Sequence, residues 1–154
     1  MRIYLTGFMG AGKTTVGRLL AERLNLPLID LDQEIEQRTG KTISTLFEEG
    51  EARFRDQERA CLESHAAGEF VMATGGGCFI FNAGTMLQTG TVIFLDVPFE
   101  TLVKRVGADP ARPLWRNAEK LFQERHQLYK KAHFTVNASG SAEETAERIV
   151  AMLE

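Results

Sequence analysis

The stretch GFMGAGKT, residues 7–14, restricts the possible folds more than any other part of the chain. It fits G-x-x-x-x-G-K-[ST] and lies between an apolar run suited to a strand, Ile3–Leu5, and a helical pattern from about Gly12 to Asn25. Gly7, Gly10 and Gly12 let the backbone curl until successive N–H groups point inward, and the following helix adds the positive end of its dipole. Such a loop cradles phosphates. The expected nucleotide-binding stretch is Gly10, Ala11, Gly12, Lys13, Thr14 and Thr15. Lys13 reaches the β- and γ-phosphates, and the Thr14 hydroxyl is placed to ligate Mg²⁺.

Beyond this loop, short apolar runs alternate with amphipathic patterns. Strands are predicted at Ile3–Leu5, Pro27–Ile29, Phe70–Ala73, Val92–Leu95 and Phe134–Val136, each apolar on both faces, as parallel strands covered by helices are. Helices are predicted at about Gly12–Asn25, Asp32–Gly40, Thr42–Glu49, Glu51–Ala66, Ala83–Gln88, Phe99–Val106, Asn117–Ala132 and Ala142–Leu153. Ser141 and Glu144 form a capping-box pair at the start of the last helix. The alternation implies a parallel α/β sandwich in one domain spanning residues 1–154. Two stretches stand apart from the scaffold: an all-helical insertion at about 31–66, and GADPARPLWRN at 107–117, whose two prolines and lack of period suit a surface loop.

Composition narrows the function classes. The net charge of −3 offers no basic field for a nucleic-acid backbone. The two cysteines, Cys61 and Cys78, form no CxxC pair and are expected as free thiols. Cys61 and His65 share a helix face at i, i+4, but no second ligand pair accompanies them, which points to packing. MRIYLTGF is too short for a secretory leader, and no apolar run approaches the ~20 residues of a membrane span. The cytoplasm is the expected location. No guanine-reading N-K-x-D segment is present and the chain is short for a motor, so a small-molecule kinase is the remaining reading.

On the acceptor side, LIDLDQEIE places Asp30 and Asp32 two apart. If the strand persists, both point to one face at the ligand-binding edge of the sheet, with Asp30 near Mg²⁺ and Asp32 on an acceptor hydroxyl. The alternative is that either one only caps the next helix. Arg55 and Arg125 are each either solvated charges or, together, a planar clamp for a carboxylate. The run TGGG, with Gly75, Gly76 and Gly77, is either a flexible turn or a place where something approaches the backbone closely.

Taken together, GFMGAGKTTVGRLLAERL, DLDQEIEQRTG, FR-x-x-E, TGGG, ARPLW and R-x-x-x-Y resemble the shikimate kinase family, in its order and over most of the chain. The resemblance implies a P-loop fold like that of nucleoside monophosphate kinases: a three-layer α/β/α sandwich whose five-stranded parallel sheet has the order 2-3-1-4-5. It implies transfer of a phosphoryl group from ATP, with Mg²⁺, to the 3-hydroxyl of shikimate, on the route to aromatic amino acids. It further implies Asp32 as base and acceptor ligand, and Asp30 as a water-mediated magnesium partner beside Thr14. Lys13 and the lid arginine Arg112 would act on the phosphates. Arg55 and Arg125 would clamp the carboxylate of shikimate, and Gly75–Gly77 would form the wall against it. Arg105 would pack on adenine. A monomer is expected. Where the family often has a Thr-containing turn after the last strand, this chain reads VNASGSAEE, so Asn137, Ala138 and Ser139 would act there through their backbone. Within enzymes the rival is a gluconate-kinase-like activity; outside them, a nucleotide-binding regulator that has kept the fold.

Overall fold

Five short apolar segments pair in parallel: β1 (Arg2–Thr6), β2 (Leu28–Asp30), β3 (Phe70–Ala73), β4 (Thr91–Asp96) and β5 (Phe134–Asn137). Their order is β2-β3-β1-β4-β5, the expected one. The computed structural model describes residues 1–106 and 117–154. The expected lid at 107–117, with Arg112, therefore lies outside the described residues except for Asn117.

The helices are α1 (Lys13–Leu24), α2 (Leu31–Thr39), α3 (Ile43–Glu49), α4 (Glu51–Glu63), α5 (Cys78–Thr89), α6 (Phe99–Val106), α7 (Ala118–Tyr129) and α8 (Ala142–Leu153). Right-handed crossovers dictate their layers. The chain moves one way along the sheet from β1 to β2 and the other way from β3 to β4, so α1 and α5 fall on opposite faces. α8 packs on α1, and α7 packs on α5. The insertion α2–α3–α4 packs on itself beside the β2 edge. No helix among the described residues is long and apolar enough to cross a membrane.

The core is the two inner faces of β1, β3 and β4, where Ile3, Leu5, Val71, Met72, Val92 and Ile93 are buried. The expectation of burial on both faces fails for the edge strands. Leu28 on β2 and Phe134 on β5 are 37% and 40% exposed, because an edge strand has a neighbour on one side only. Several boundaries also differ: α4 and α7 each end three residues early, at Glu63 and Tyr129. β2 runs one residue later than expected and ends at Asp30. α5 starts at Cys78 rather than Ala83: Gly77 serves as its N-cap, the apolar run CFIF forms a first turn, and a kink at Asn82, with φ of −132° and ψ of 25°, separates that turn from the expected segment.

Phe94 on β4 stacks on Tyr129 at 5.0 Å between ring centroids and is 2% exposed. Phe94→Ala is expected to lower the unfolding free energy by about 3–5 kcal/mol in urea titrations, the usual cost of emptying an aromatic site in a core.

Candidate active site

Because all five strands are parallel, their C-terminal ends share one edge, and every sequence-predicted site residue within the described part follows one of those ends. The phosphate loop follows central β1. Gly10 and Gly12 adopt φ of +87° and +93°, which side chains disfavour. Gly12 is the N-cap of α1, and Lys13 opens that helix. The Lys13 ammonium donates to the Gly7 carbonyl at 2.5 Å. Burial pushes its pKa down to about 8, opposed mainly by the nearby Asp32 carboxylate.

Asp30 caps α2, one of its two sequence readings, and also meets the hydroxyl of Thr14. Its Oδ1 accepts from the Gln33 N–H at 3.2 Å, capping α2, while Oδ2 accepts from the Thr14 hydroxyl at 3.2 Å. The strand does not persist to Asp32, however. α2 begins at Leu31, so Asp32 lies in its first turn and the two-residue strand argument does not apply. Asp32 still faces the phosphate loop, by helix geometry instead. Its Oδ1 is buried without a hydrogen-bond partner. Burial raises its pKa, with Lys13 pulling the other way and Asp30 adding to the rise.

Of the two sequence readings of the glycines after β3, the structure favours close approach to the backbone over a flexible turn. None of them adopts positive φ, so conformational freedom is not what they supply. Space is. A Cβ on Gly75 would lie 3.0 Å from the Asp32 carboxylate, one on Gly76 3.6 Å from the Arg125 guanidinium, and one on Gly77 2.5 Å from the Arg55 guanidinium. The close approach at Gly75 and Gly77 is thus made by the protein's own charged side chains, while the distance at Gly76 is that of ordinary contact. Thr74 anchors the run, donating through its hydroxyl to the Leu5 carbonyl at 2.7 Å.

Arg55 is held from several sides. Its Nη1 donates to buried Glu58 at 2.9 Å and its Nη2 to Glu51 at 3.5 Å. Its guanidinium carbon lies 4.2 Å, 5.0 Å and 5.6 Å from the ring centroids of Phe81, Phe54 and Phe47. Burial raises the pKa of Glu58, with Arg55 opposing. Arg125 comes from α7, one turn before Tyr129, whose hydroxyl donates to the Gly76 carbonyl. A cavity of about 270 Å³ is lined by Asp32, Arg55, Arg125 and the three glycines, along with Met9 and Glu58. The convergence of the two arginines, invisible to spacing, is therefore real. Sequence reasoning assigned no role to Glu58 or Tyr129. The i, i+3 distance from Arg55 to Glu58 was the available signal for the first. Nothing in the sequence marked Tyr129 as a partner of Gly76.

On the opposite side of the phosphate loop, Arg105 at the end of α6 donates to four backbone carbonyls. Nη1 reaches Gly10 and Ala11 at 3.4 and 3.3 Å, and Nη2 reaches Ala138 and Gly140 at 2.7 and 3.1 Å. A second cavity, lined by Gly12, Thr15, Arg105, Ala138 and Thr145, opens there. Ser139 folds onto the Asn137 side chain, its N–H donating at 2.9 Å.

The family model for shikimate kinase matches residues 9–154. The chain belongs to the shikimate kinase family. It is 43% identical to the shikimate kinase of Persephonella marina over 91% of this chain and 90% of that one. Among solved structures, the shikimate kinase of Bacteroides thetaiotaomicron superimposes with a TM-score of 0.90 at 38% identity, covering 99% of this chain and 98% of that one. The Acinetobacter baumannii enzyme, solved in complex with shikimate, gives 0.88 at 40% identity over 99% and 92%. The family's co-substrate is ATP, which suits a central phosphate loop with cavities on either side.

The lowered pKa of Lys13 makes phosphate binding pH-dependent. A bound phosphate favours the ammonium, so the complex holds more protons than the free chain above pH 8. Affinity for ADP is therefore expected to fall as pH rises past that point, approaching about tenfold per pH unit. Calorimetric titration checks this, and Lys13→Met should flatten the dependence.

Proposed function

We propose that the chain transfers the γ-phosphoryl group of ATP to the 3-hydroxyl of shikimate, with Asp32, Arg55 and Arg125 as the acceptor site. The observation that carries this reading is the cavity in which Asp32, whose carboxylate pairs with neither arginine, meets the guanidinium groups of Arg55 and Arg125 beside Lys13, while Glu51 and Glu58 brace Arg55 from behind. A carboxylate with a free, buried oxygen suits a hydroxyl donor. Two planar cations held against a glycine wall suit a carboxylate acceptor. Gluconate lacks the rigid ring such a wall favours.

In this reading Arg55 and Arg125 bind the carboxylate of shikimate, and Asp32 orients the hydroxyl. The hydroxyl oxygen attacks the γ-phosphorus, the bond to the β-phosphate oxygen breaks, and the proton passes to Asp32 as ADP departs. Burial, by raising the Asp32 pKa, makes that carboxylate a better acceptor of the proton. Lys13 and the inward N–H groups of residues 10–15 hold the phosphates. The Thr14 hydroxyl and the Asp30 carboxylate are hard oxygen donors 3.2 Å apart, a set that fits Mg²⁺. That ion, when bound, neutralises charge between the β- and γ-phosphates. Arg105 borders the adenine side. The insertion serves as the acceptor-binding unit, and residues 107–117 with Arg112 serve as the lid. The protein acts as a monomer in the cytoplasm.

A coupled ADP-release assay with shikimate, with gluconate and without acceptor tests the reading. Turnover with shikimate alone is expected. Equal turnover with gluconate, or none with either, overturns it. Asp32→Asn should lower kcat by about 10²–10⁴-fold, the range for loss of a general base, with ADP affinity nearly unchanged.

The glycine wall gives a separate expectation. A methyl group at position 77 collides with the Arg55 guanidinium, whose room to retreat is limited by Glu58 and three aromatic rings. Gly77→Ala should raise the KM for shikimate by roughly 10-fold or more, as displacement of one charge-assisted bond does. The KM for ATP should move far less. Steady-state kinetics with each substrate varied decides it.

A further inference from the structure

Three side chains with no part in phosphoryl transfer meet between α2 and the end of α4. Glu34 is two residues after Asp32 and, by helical period, points away from the phosphate loop. Spacing alone leaves Cys61 and His65 as a pair, and the fold brings Glu34 to them. One ligand-type atom from each of the three lies within 4.8 Å of the others. Glu34 Oε2 is 2.5 Å from His65 Nε2 and 3.6 Å from Cys61 Sγ.

We propose that Glu34, Cys61 and His65 form a three-ligand site for a divalent cation of the zinc class, joining α2 to the end of α4.

The donor set argues for this class of ion. A thiolate and an imidazole favour zinc over magnesium, and one carboxylate completes three ligands with a fourth position left to water. Sulfur, nitrogen and oxygen on a tetrahedral ion stand about 3–4 Å apart, given bonds of about 2.0–2.3 Å. The three atoms need only small movements to reach that spacing.

Neighbours hold the ligands in position. Arg38 Nη2 lies 3.5 Å from Glu34 Oε1 and donates to Ser64 Oγ at 2.7 Å, which fixes one carboxylate oxygen and leaves Oε2 toward Cys61. The His65 ring stands edge-on to Phe70 at 6.2 Å. Such outer contacts orient ligands and tune affinity. The arginine also sets a limit: its charge weakens cation binding unless both the thiol and the carboxyl are ionised. Cys61 is 2% exposed, while the side chains of His65 and Glu34 are 22% and 25% exposed, so an ion enters from their side.

On binding, the thiol proton leaves to solvent, the imidazole proton passes through solvent from Nε2 to Nδ1, and the hydrogen bonds converging on Glu34 Oε2 are replaced by bonds from sulfur, nitrogen and oxygen to the ion. Burial and the Glu34 charge push the free thiol up to about 11, so binding releases a proton at neutral pH. Because α2 carries Asp32 and α4 carries Arg55, an ion here would stiffen the unit that holds both.

The test uses the whole chain, freed of metal by chelation and without nucleotide, titrated with Co²⁺. Wild type should develop sulfur-to-cobalt charge-transfer absorption and tetrahedral ligand-field bands, saturating at one equivalent and reversed by Zn²⁺. Cys61→Ser should abolish the charge-transfer band. His65→Ala and Glu34→Gln should each weaken binding by at least the roughly 10–100-fold that even an outer partner contributes. Zn²⁺ should raise the Tm of wild type and leave that of Cys61→Ser unmoved. No charge-transfer band in wild type overturns the proposal, as does a band that survives in Cys61→Ser. Undiminished affinity in both His65→Ala and Glu34→Gln also overturns it, and these two decide the matter if Cys61→Ser does not fold.

Discussion

The site depends on a strip of backbone with no side chains. Gly75, Gly76 and Gly77 each receive one charged group: Asp32 from α2, Arg125 from α7 and Arg55 from α4. α2 and α4 belong to one insertion that packs on itself, α7 comes from much later in the chain, and all three meet at glycines that lie next to the phosphate loop because β3 pairs with β1. Strand order thus divides the labour. β1 supplies the phosphate loop at the centre, the β3–β2 side carries the acceptor groups, and the β4–β5 side carries Arg105 and the turn after Val136. Tyr129 and Thr74 pin the strip from its two ends, one through the Gly76 carbonyl and the other through the Leu5 carbonyl.

Charge is concentrated here at a cost to the empty fold. Asp32 Oδ1, Arg55 Nε and Glu58 Oε2 are buried without hydrogen-bond partners, and burial disfavours the charged forms of Lys13, Asp32 and Glu58. Each is partly compensated by an opposite charge nearby rather than by solvent. Such arrangements persist where ligands complete them, and catalytic sites are the usual place. The aromatic rings around Arg55 belong to the same logic. They hold a guanidinium in place without taking up its hydrogen-bonding edge.

Much of this was legible in the sequence, for identifiable reasons. The phosphate loop is local, so its residues declare it. The strand order and the roles of Asp32, Arg55 and Arg125 came through family resemblance, and the fold bears out the order and brings the three side chains together. Other features needed three dimensions. Asp32 reaches the site from a helix rather than a strand, because β2 stops two residues before it. That Asp32, Arg125 and Arg55 approach the glycines was not legible, because partners 22 to 49 positions away leave no periodic trace. Glu34 was silent for the same reason: its link to Cys61 and His65 crosses between two helices.

Arg105 joins the phosphate loop to the turn after β5 through main chain. All four of its acceptors are main-chain carbonyls, at Gly10, Ala11, Ala138 and Gly140. Carbonyls are present whatever the side chain, so the guanidinium's place is set by the backbone path; only Gly10 among the four, at a φ of +87°, is tied to glycine by that path. What the turn VNASG has to supply at this corner is therefore a path of the backbone rather than particular side chains, and one arginine reads that path.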